Sequence, residues 1–306
     1  MSEFCIFERI FCIMPNQKYE AFVTAAQMGS FKKAAEKLGY TQAGISYMMN
    51  ALEEEMGTAL FIRDRAGVRL TADGQNLLPW IQDVRASEQA LQTHLDEIRD
   101  SEVGTVRVAT FASVAIHWLP SIISEFLEVH PKMDFEFSCF ENQDLMEEAI
   151  WNGQFDCGFV TLPVKSRFHT IPLMTEPIYA VVAPDHPLAR SRTFPSSSLG
   201  SEPYIKLFND SYTEYDVIFK LNGVTPNTRF VVDNDFAVLG MVSKGLGYSL
   251  FPRLILQETS FALAWLQPEV PLHRELALAV RSMDKASIAT KAFLQFAQEW
   301  VRNNEG

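Results

Sequence analysis

Between Thr41 and Asn50 the chain gathers side chains that can read the edge of a nucleic-acid base. Gln42 and Asn50 each carry an amide that can bond adenine bidentately, and the Thr41 and Ser46 hydroxyls can bond bases or phosphates. Gly44 and Tyr47 lie on the same run, with Tyr47 able either to touch a partner or to pack on a neighbouring hairpin. Alone, such a run is also an ordinary solvated helix face. What surrounds it decides.

Other chemistries find little support. The 306-residue chain has no H-E-x-x-H, no G-x-S-x-G, no P-loop and no G-x-G-x-x-G after a strand, and Gly245-Leu246-Gly247 is a lone G-x-G. The histidines at 94, 117, 130, 169, 186 and 273 show no zinc spacing. Cys5, Cys12, Cys139 and Cys157 form no C-x-x-C pair. Cys139 and Cys157 could form a thiol redox sensor, but without basic neighbours to lower a pKa they read as buried small hydrophobes. No enzyme, metal or cofactor is expected.

Base reading needs a helix to carry those residues, and the flanking sequence supplies one. Ala21, Phe22, Ala25 and Ala26 recur at helical spacing, Gly29 breaks that helix, and Ser30 can cap a second from Phe31 to Leu38. Gly39-Tyr40 is a turn, and Thr41 caps a third helix from Gln42 to about Met56 with Ile45, Met48 or Met49, and Leu52 inward. Two short helices joined by a glycine turn form a helix-turn-helix. Leu60–Arg63, a turn from Asp64 to Gly67, and Val68–Thr71 make a hairpin wing. From Asp73 to Asp100, Leu78, Ile81, Val84, Leu91, Leu95 and Ile98 recur at near-heptad spacing, so a long helix there wants a partner helix along its apolar seam. Beyond Gly104 strands alternate with helices: 105–110, helix 117–129, 133–139, helix 144–151, 156–160, a second alternating stretch to about 266, and a last helix 288–303. That alternation implies a parallel sheet covered on both faces.

Hydrophobic content is 47%, charged content 21% and net charge −12, ordinary values for a globular chain of two or three structural units. Residues 14–80 balance seven basic against seven acidic side chains, whereas residues 100–306 hold 16 basic and 25 acidic. A neutral base-reading unit neutralises few phosphates, so its affinity would depend on multivalency. The apolar N-terminal run carries Glu3, Glu8 and Arg9 and lacks a signal-peptide pattern, and no stretch is as long as a membrane span. A cytoplasmic location without membrane contact is expected.

Several motifs in order resemble the LysR-type transcriptional regulators. They are Ser30-Phe31-Lys32-Lys33-Ala34-Ala35-Glu36-Lys37-Leu38, Thr41-Gln42-Ala43-Gly44-Ile45-Ser46, Leu52-Glu53-Glu54-Glu55-Met56-Gly57, Leu60-Phe61-Ile62-Arg63 and Val68-Arg69-Leu70-Thr71-Ala72-Asp73-Gly74. Leu119-Pro120, Gly153-Gln154-Phe155-Asp156 and Met241–Tyr248 with Pro252 resemble the effector half of the same family. The family often places basic residues where this chain has Tyr47, Asn50 and Ala51.

The resemblance implies an α/β chain with an N-terminal winged helix-turn-helix over residues 14–74, a long linker and dimerisation helix over 75–100, and a two-lobed, periplasmic-binding-protein-like effector domain over 104–306. Lobe one would span about 104–175 and 271–306, and lobe two about 176–270. Residues 1–13 would be an extension upstream of the true start. The expected function is sequence-specific DNA binding modulated by a small organic effector held between the lobes. The alternatives are control through protein contacts, or a binding protein or enzyme that does not touch DNA.

Lys32, Lys33, Thr41, Gln42, Gly44, Ser46, Tyr47, Asn50, Arg63 and Arg65 would contact double-stranded promoter DNA, the cations on phosphate or minor groove. Leu78 to Ile98 would pair two chains, with dimers joining into a tetramer; RNA polymerase is a further candidate partner. Loops at the carboxyl ends of strands would line the cleft. They bring Thr110, Phe111 and Ser113, which could hold an anion at a helix N-terminus, then Asn142, Thr161, Tyr204, Lys206, Phe208, Asn234 and Phe236. Phe111, Phe208 and Phe236 could instead be core aromatics, and Thr110 and Ser113 helix caps. Lys206 could pair with a carboxylate, whereas Glu141 and Asp235 near the cleft would discourage a doubly acidic ligand.

Overall fold

The computed structural model describes residues 17–64, 67–99, 104–165, 167–207, 214–257 and 259–305. The extension over 1–13, Arg65, Phe208 and the side chain of Ile98 lie outside the described residues. The chain divides into two compact units, 1–101 with 151–154, and 102–150 with 155–306.

In the first unit, α1 (Gln17–Met28) ends at Gly29, whose φ of 58° suits glycine. The Ser30 hydroxyl then caps α2 (Phe31–Leu38) by accepting from the Lys33 N–H, and Gly39 closes it at φ 73°. Thr41 Oγ1 accepts from the Gly44 N–H at 3.0 Å, starting α3 (Gln42–Met56). The wing is β1 (Phe61–Asp64) paired antiparallel with β2 (Gly67–Leu70). Phe61 packs edge-on against Phe22 and Phe31, with centroids 5.4 and 5.2 Å away, in a core that also buries Ala25, Ile45, Met49 and Leu52.

Next comes α4 (Ala72–Arg99), and its apolar seam is not one surface. Ile81 is buried in the winged-helix core, with Leu77 and Leu78 packed against it. Val84 and Leu91, by contrast, are 43% and 46% exposed, and Leu95 is half-buried. The seam expected to face a partner chain therefore starts after Ile81. The first turns of α4 lie on α1, braced by Arg85, which reaches Glu20 at 3.7 Å.

In the second unit the chain runs β3 (Gly104–Thr110), α5 (Ala112–His117), α6 (Leu119–Val129), β4 (Met133–Cys139), α7 (Gln143–Trp151), β5 (Cys157–Leu162) and β6 (His169–Val182). It continues through β7 (Thr193–Phe194), α8 (Ser196–Ser201), β8 (Pro203–Leu207), α9 (Glu214–Leu221), β9 (Asn227–Val232) and α10 (Asp235–Ser243). It ends with β10 (Ser249–Pro252), α11 (Arg253–Leu256), β11 (Ala264–Pro268), β12 (Leu272–Val280) and α12 (Ile288–Asn304). The helix expected from His117 to Val129 breaks at Trp118, so His117 ends α5 instead of starting a helix. Pro120 has no N–H for the Ile116 carbonyl, and the helix restarts around it.

The large sheet has the order β4-β3-β5-β12-β6-β11-β7 with β10 also on β6, while β8 and β9 form a separate two-stranded sheet. Only part of this sheet is parallel, contrary to the sequence expectation. β3 is parallel to β4 and β5, and β8 to β9, but β12 is antiparallel to both β5 and β6, and β10 and β11 are antiparallel to β6. The reason is topological. β6 carries the chain out of lobe one and β12 brings it back, side by side from His169↔Val280 to Ile178↔Leu272, so the crossing pair must run in opposite directions.

Candidate functional site

Along α3, Gln42, Tyr47 and Asn50 are exposed, Tyr47 by 76%, and Gly44 and Ser46 are half-buried. Tyr47 thus stands out from the surface and does not pack on the wing. Thr41 is spent in part as the cap, and a Cβ on Gly44 would come within 3.3 Å of its Oγ1. Lys33 is exposed, and Lys32 lies 4.0 Å from Glu36.

Asn50 and Arg63 turn to each other, Arg63 Nη2 donating to Asn50 Oδ1 at 2.6 Å and to Glu53 Oε2 at 3.0 Å, with the guanidinium 5.1 Å from the Phe31 ring centre. They brace α3 to the wing, because a fork of donors beside an amide and a carboxylate binds both. Glu53 completes the brace by accepting from the Leu60 and Phe61 N–H groups.

In the second unit a cavity of about 70 Å³ opens where the two lobes meet. By the volume one water needs, it has room for about five waters or one small organic molecule. Phe111, Ala112 and Ser113 line it from the β3–α5 corner, Phe140, Glu141 and Gln143 from the end of β4, and Thr161 from β5. Leu207, Tyr215, Asp235, Phe251, Pro252 and Ile255 face them, and Arg274 reaches in from β12. Arg274 is buried: Nε lies 2.6 Å from Glu176 Oε2, Nη2 donates to Ser113 Oγ at 3.1 Å, and the guanidinium lies 5.8 Å from the Phe111 ring centre. Glu176 is buried too and accepts from the Leu254 N–H. Gln143 is committed, bonding the Thr161 N–H, the Thr161 carbonyl and Glu147.

Of the sequence candidates, Phe111, Ser113 and Thr161 line the cavity. The others are placed elsewhere. Thr110 is fully buried, its hydroxyl donating to the Phe111 carbonyl. Asn142 accepts from the Asp144 and Leu145 N–H groups and caps α7; Asn234 does the same for α10 through the Ala237 N–H. Tyr204 is 3% exposed, packed on Phe219 and Tyr248 in the lobe-two core, where burial drives its phenol pKa well up. Lys206 sits 3.6 Å from Asp216, and Phe236 is 40% exposed outside the lining. The helix that starts at the β3–α5 corner has six residues and no side-chain cap at its N-terminus.

Neither described cysteine has the lowered pKa a reactive thiol needs. Burial pushes the Cys157 thiol well up, and burial followed by the Glu141 charge raises Cys139. Among the described residues no group of three or more histidine, cysteine or acidic side chains could hold a metal, and no helix is long and apolar enough to cross a membrane.

Comparison with known families settles the class. Residues 17–75 match the bacterial regulatory helix-turn-helix protein, lysR family, and residues 99–302 match the LysR substrate binding domain. The chain belongs to the LysR family. It is a DNA-binding transcriptional regulator with a substrate-binding domain, in a family of regulators, not enzymes. It is 28% identical to the uncharacterized HTH-type transcriptional regulator YvbU of Bacillus subtilis over 94% of this chain and 98% of that one. Its fold is similar to HinK, a LysR family transcriptional regulator of Pseudomonas aeruginosa, at TM-score 0.60 and 25% identity, over 94% of this chain and 98% of that one. It also resembles full-length CbnR, crystallised with its target DNA, at TM-score 0.61 and 20% identity, over 94% of this chain and 99% of that one.

The sequence reading of this LysR-type chain missed Arg274, Phe140, Gln143, Tyr215 and Phe251 as cavity residues. Arg274 left one usable signal. In the strand Leu272–Val280 it alternates with His273 and Glu275 and so shares a face with Leu272 and Leu276, where a buried charge needs a partner.

Proposed function

We propose that a small organic effector in the lobe cavity modulates how this LysR-type regulator binds promoter DNA through α3 and the wing. The observation that carries the reading is the cavity itself. Both lobes contribute walls, and Arg274 on the crossing strand β12 reaches into it. A ligand touching both lobes favours one arrangement of them, and β6 and β12 are the strands that would bend. Thr41, Gln42, Ser46 and Tyr47 would face the major groove, Lys32 and Lys33 the phosphates. The CbnR–DNA complex supports DNA binding by this fold.

The exposed stretch of α4 around Val84 and Leu91 would pair two chains, and pairs of dimers would give the multivalency a neutral DNA-binding unit needs. The test is a thermal-shift screen of the full chain against metabolites, with each hit added to a fluorescence-anisotropy titration of a duplex from the gene's own upstream region. A compound that raises melting and changes DNA affinity supports the reading. Stabilising compounds that all leave DNA affinity and DNA bend unchanged would overturn effector gating and favour control through protein contacts.

A further inference from the structure

The motif Gly153-Gln154-Phe155-Asp156 lines neither the DNA-binding face nor the lobe cavity. We propose that the turn Trp151–Gln154 is a releasable latch on the linker helix α4, and that its docking sets how the DNA-binding unit engages its target. α7 starts in the second compact unit, but Trp151–Gln154 at its end belongs to the first. Gly153 has φ 72°, and a Cβ there would lie 3.0 Å from both Cα and Cβ of Ala86. Only a glycine lets the turn lie this close to the α4 backbone. Gln82 and Ala86, four residues apart on α4, are 7% and 8% exposed. At about 100° per residue they lie on the opposite side of the helix from the exposed Trp80, Val84 and Leu91, so the turn leaves the pairing face free.

Asn152 marks the contact as one built to open. It is 2% exposed, and among the described residues its Oδ1 and Nδ2 find no hydrogen-bond partner. An amide buried without partners costs free energy that solvent returns on release. A turn meant to stay docked gains from an apolar side chain at that position. An asparagine instead keeps the docked and released states close in energy, as a two-state element requires. The turn is also wired to the lobe cavity, a link that rests on the cavity being the effector site. Upstream, α7 is a rod of about 13 Å whose first residue, Gln143, lines the cavity and accepts from the Thr161 N–H at 2.9 Å. Downstream, Phe155 meets the cavity-lining Phe140 edge-on, with ring centres 5.5 Å apart. Asp156 is held to β3, its N–H donating to the Arg107 carbonyl and its Oδ2 accepting from the Arg107 N–H. A ligand that moves α7 or Phe140 therefore pulls on the turn from one side or the other.

The experiment is hydrogen–deuterium exchange of the full chain over residues 78–90 of α4. DNA affinity and bend are read alongside, by anisotropy and energy transfer on a duplex from the gene's own upstream region. Asn152→Leu removes the unpaired amide and should slow exchange there about tenfold, the worth of one buried polar group. Gly153→Val forces the turn off and should speed it, with DNA affinity or bend moving in opposite directions in the two variants. Ala86→Leu presses on the same contact from the helix and leaves the backbone of the turn alone, so it replaces Gly153→Val if circular dichroism shows that variant unfolded. If exchange does not move in opposite directions in the tightening and releasing variants, the docking is overturned. Opposite shifts in exchange with DNA affinity and bend unchanged leave a structural contact and overturn the latch. Phe140→Leu loosens the packing on Phe155 with no substitution on α4, and it should also speed exchange over 78–90. If it does not, the wiring to the cavity fails. A screened effector that acts in full on every latch variant leaves effector gating intact and removes the latch as its route.

Discussion

Replacing Arg274 with methionine should be among the most damaging single changes in the effector domain. Its guanidinium ties four elements together: β12, which carries it, β6 through Glu176 at 2.6 Å, α5 through Ser113 at 3.1 Å, and α11 through the Leu254 N–H held by the same Glu176. Arg274 and Glu176 side chains are 5% and 1% exposed. Arg274→Met strands the Glu176 carboxylate in that dry setting, which costs about 3–5 kcal/mol. The double variant Glu176→Gln with Arg274→Met removes the stranded charge and keeps an acceptor for the Leu254 N–H. It should lose only the bonds among neutral groups, about 1–2 kcal/mol. The second change should therefore recover about 2–3 kcal/mol of what the first loses. For a domain of this size each kcal/mol moves the melting temperature by about 2–4 °C. The single variant should therefore melt roughly 6–20 °C below the parent, with the double variant much closer to it. Scanning calorimetry of the full chain reads both. A single variant within about 1 kcal/mol of the parent, or a double variant as unstable as the single, refutes the view that this pair holds the lobe crossing.

Three further outcomes are expected. Val84→Glu with Leu91→Glu should lower the solution mass by light scattering without lowering the melting temperature, whereas Ile81→Glu should unfold the winged helix, because Ile81 is 4% exposed in its core; equal effects would contradict the division of α4. Gly67→Ala should destabilise the wing by more than about 1 kcal/mol and weaken DNA binding, since Gly67 has φ 138° and its added Cβ would lie 2.4 Å from the Gly29 carbonyl oxygen that accepts the Val68 N–H. Finally, Glu141→Gln should alter the pH dependence of stability in calorimetric melts, because burial and then the Asp233 charge hold the Glu141 carboxyl above its ordinary value. The folded chain holds this proton to higher pH than the unfolded chain, so the group's contribution is present at low pH and lost as pH rises through the raised value. Asp233 and Cys139 face the group, and a pH dependence that persists unchanged in Glu141→Gln would show that another group governs it.

The DNA-binding half was legible because its signals are local. Ser30 and Thr41 cap helices through bonds spanning three residues, and Gly29 and Gly39 end helices at positive φ. The elements of the effector half were readable for the same reason, and strand ends pointed to Phe111, Ser113 and Thr161. Orientation was harder. Tyr204 and Ile205 are both buried on β8, so no alternation marks which side chain faces a cavity and which the core. The α4 seam reads as one stripe, yet a helix periodicity says only that a face is covered, and tertiary packing assigns Ile81 to its own domain and leaves Val84 and Leu91 outside. Arg274 was out of reach for a further reason. Its place depends on the antiparallel register of β12 with β6, which sets it opposite Glu176 across 98 residues of sequence. Sequence alone determined the family, the elements and the caps, since each rests on neighbours a few residues apart. Only the tertiary structure decided which buried charges meet in the cavity, because long-range strand register is set by the packing of the whole domain and leaves no short-range mark on the chain.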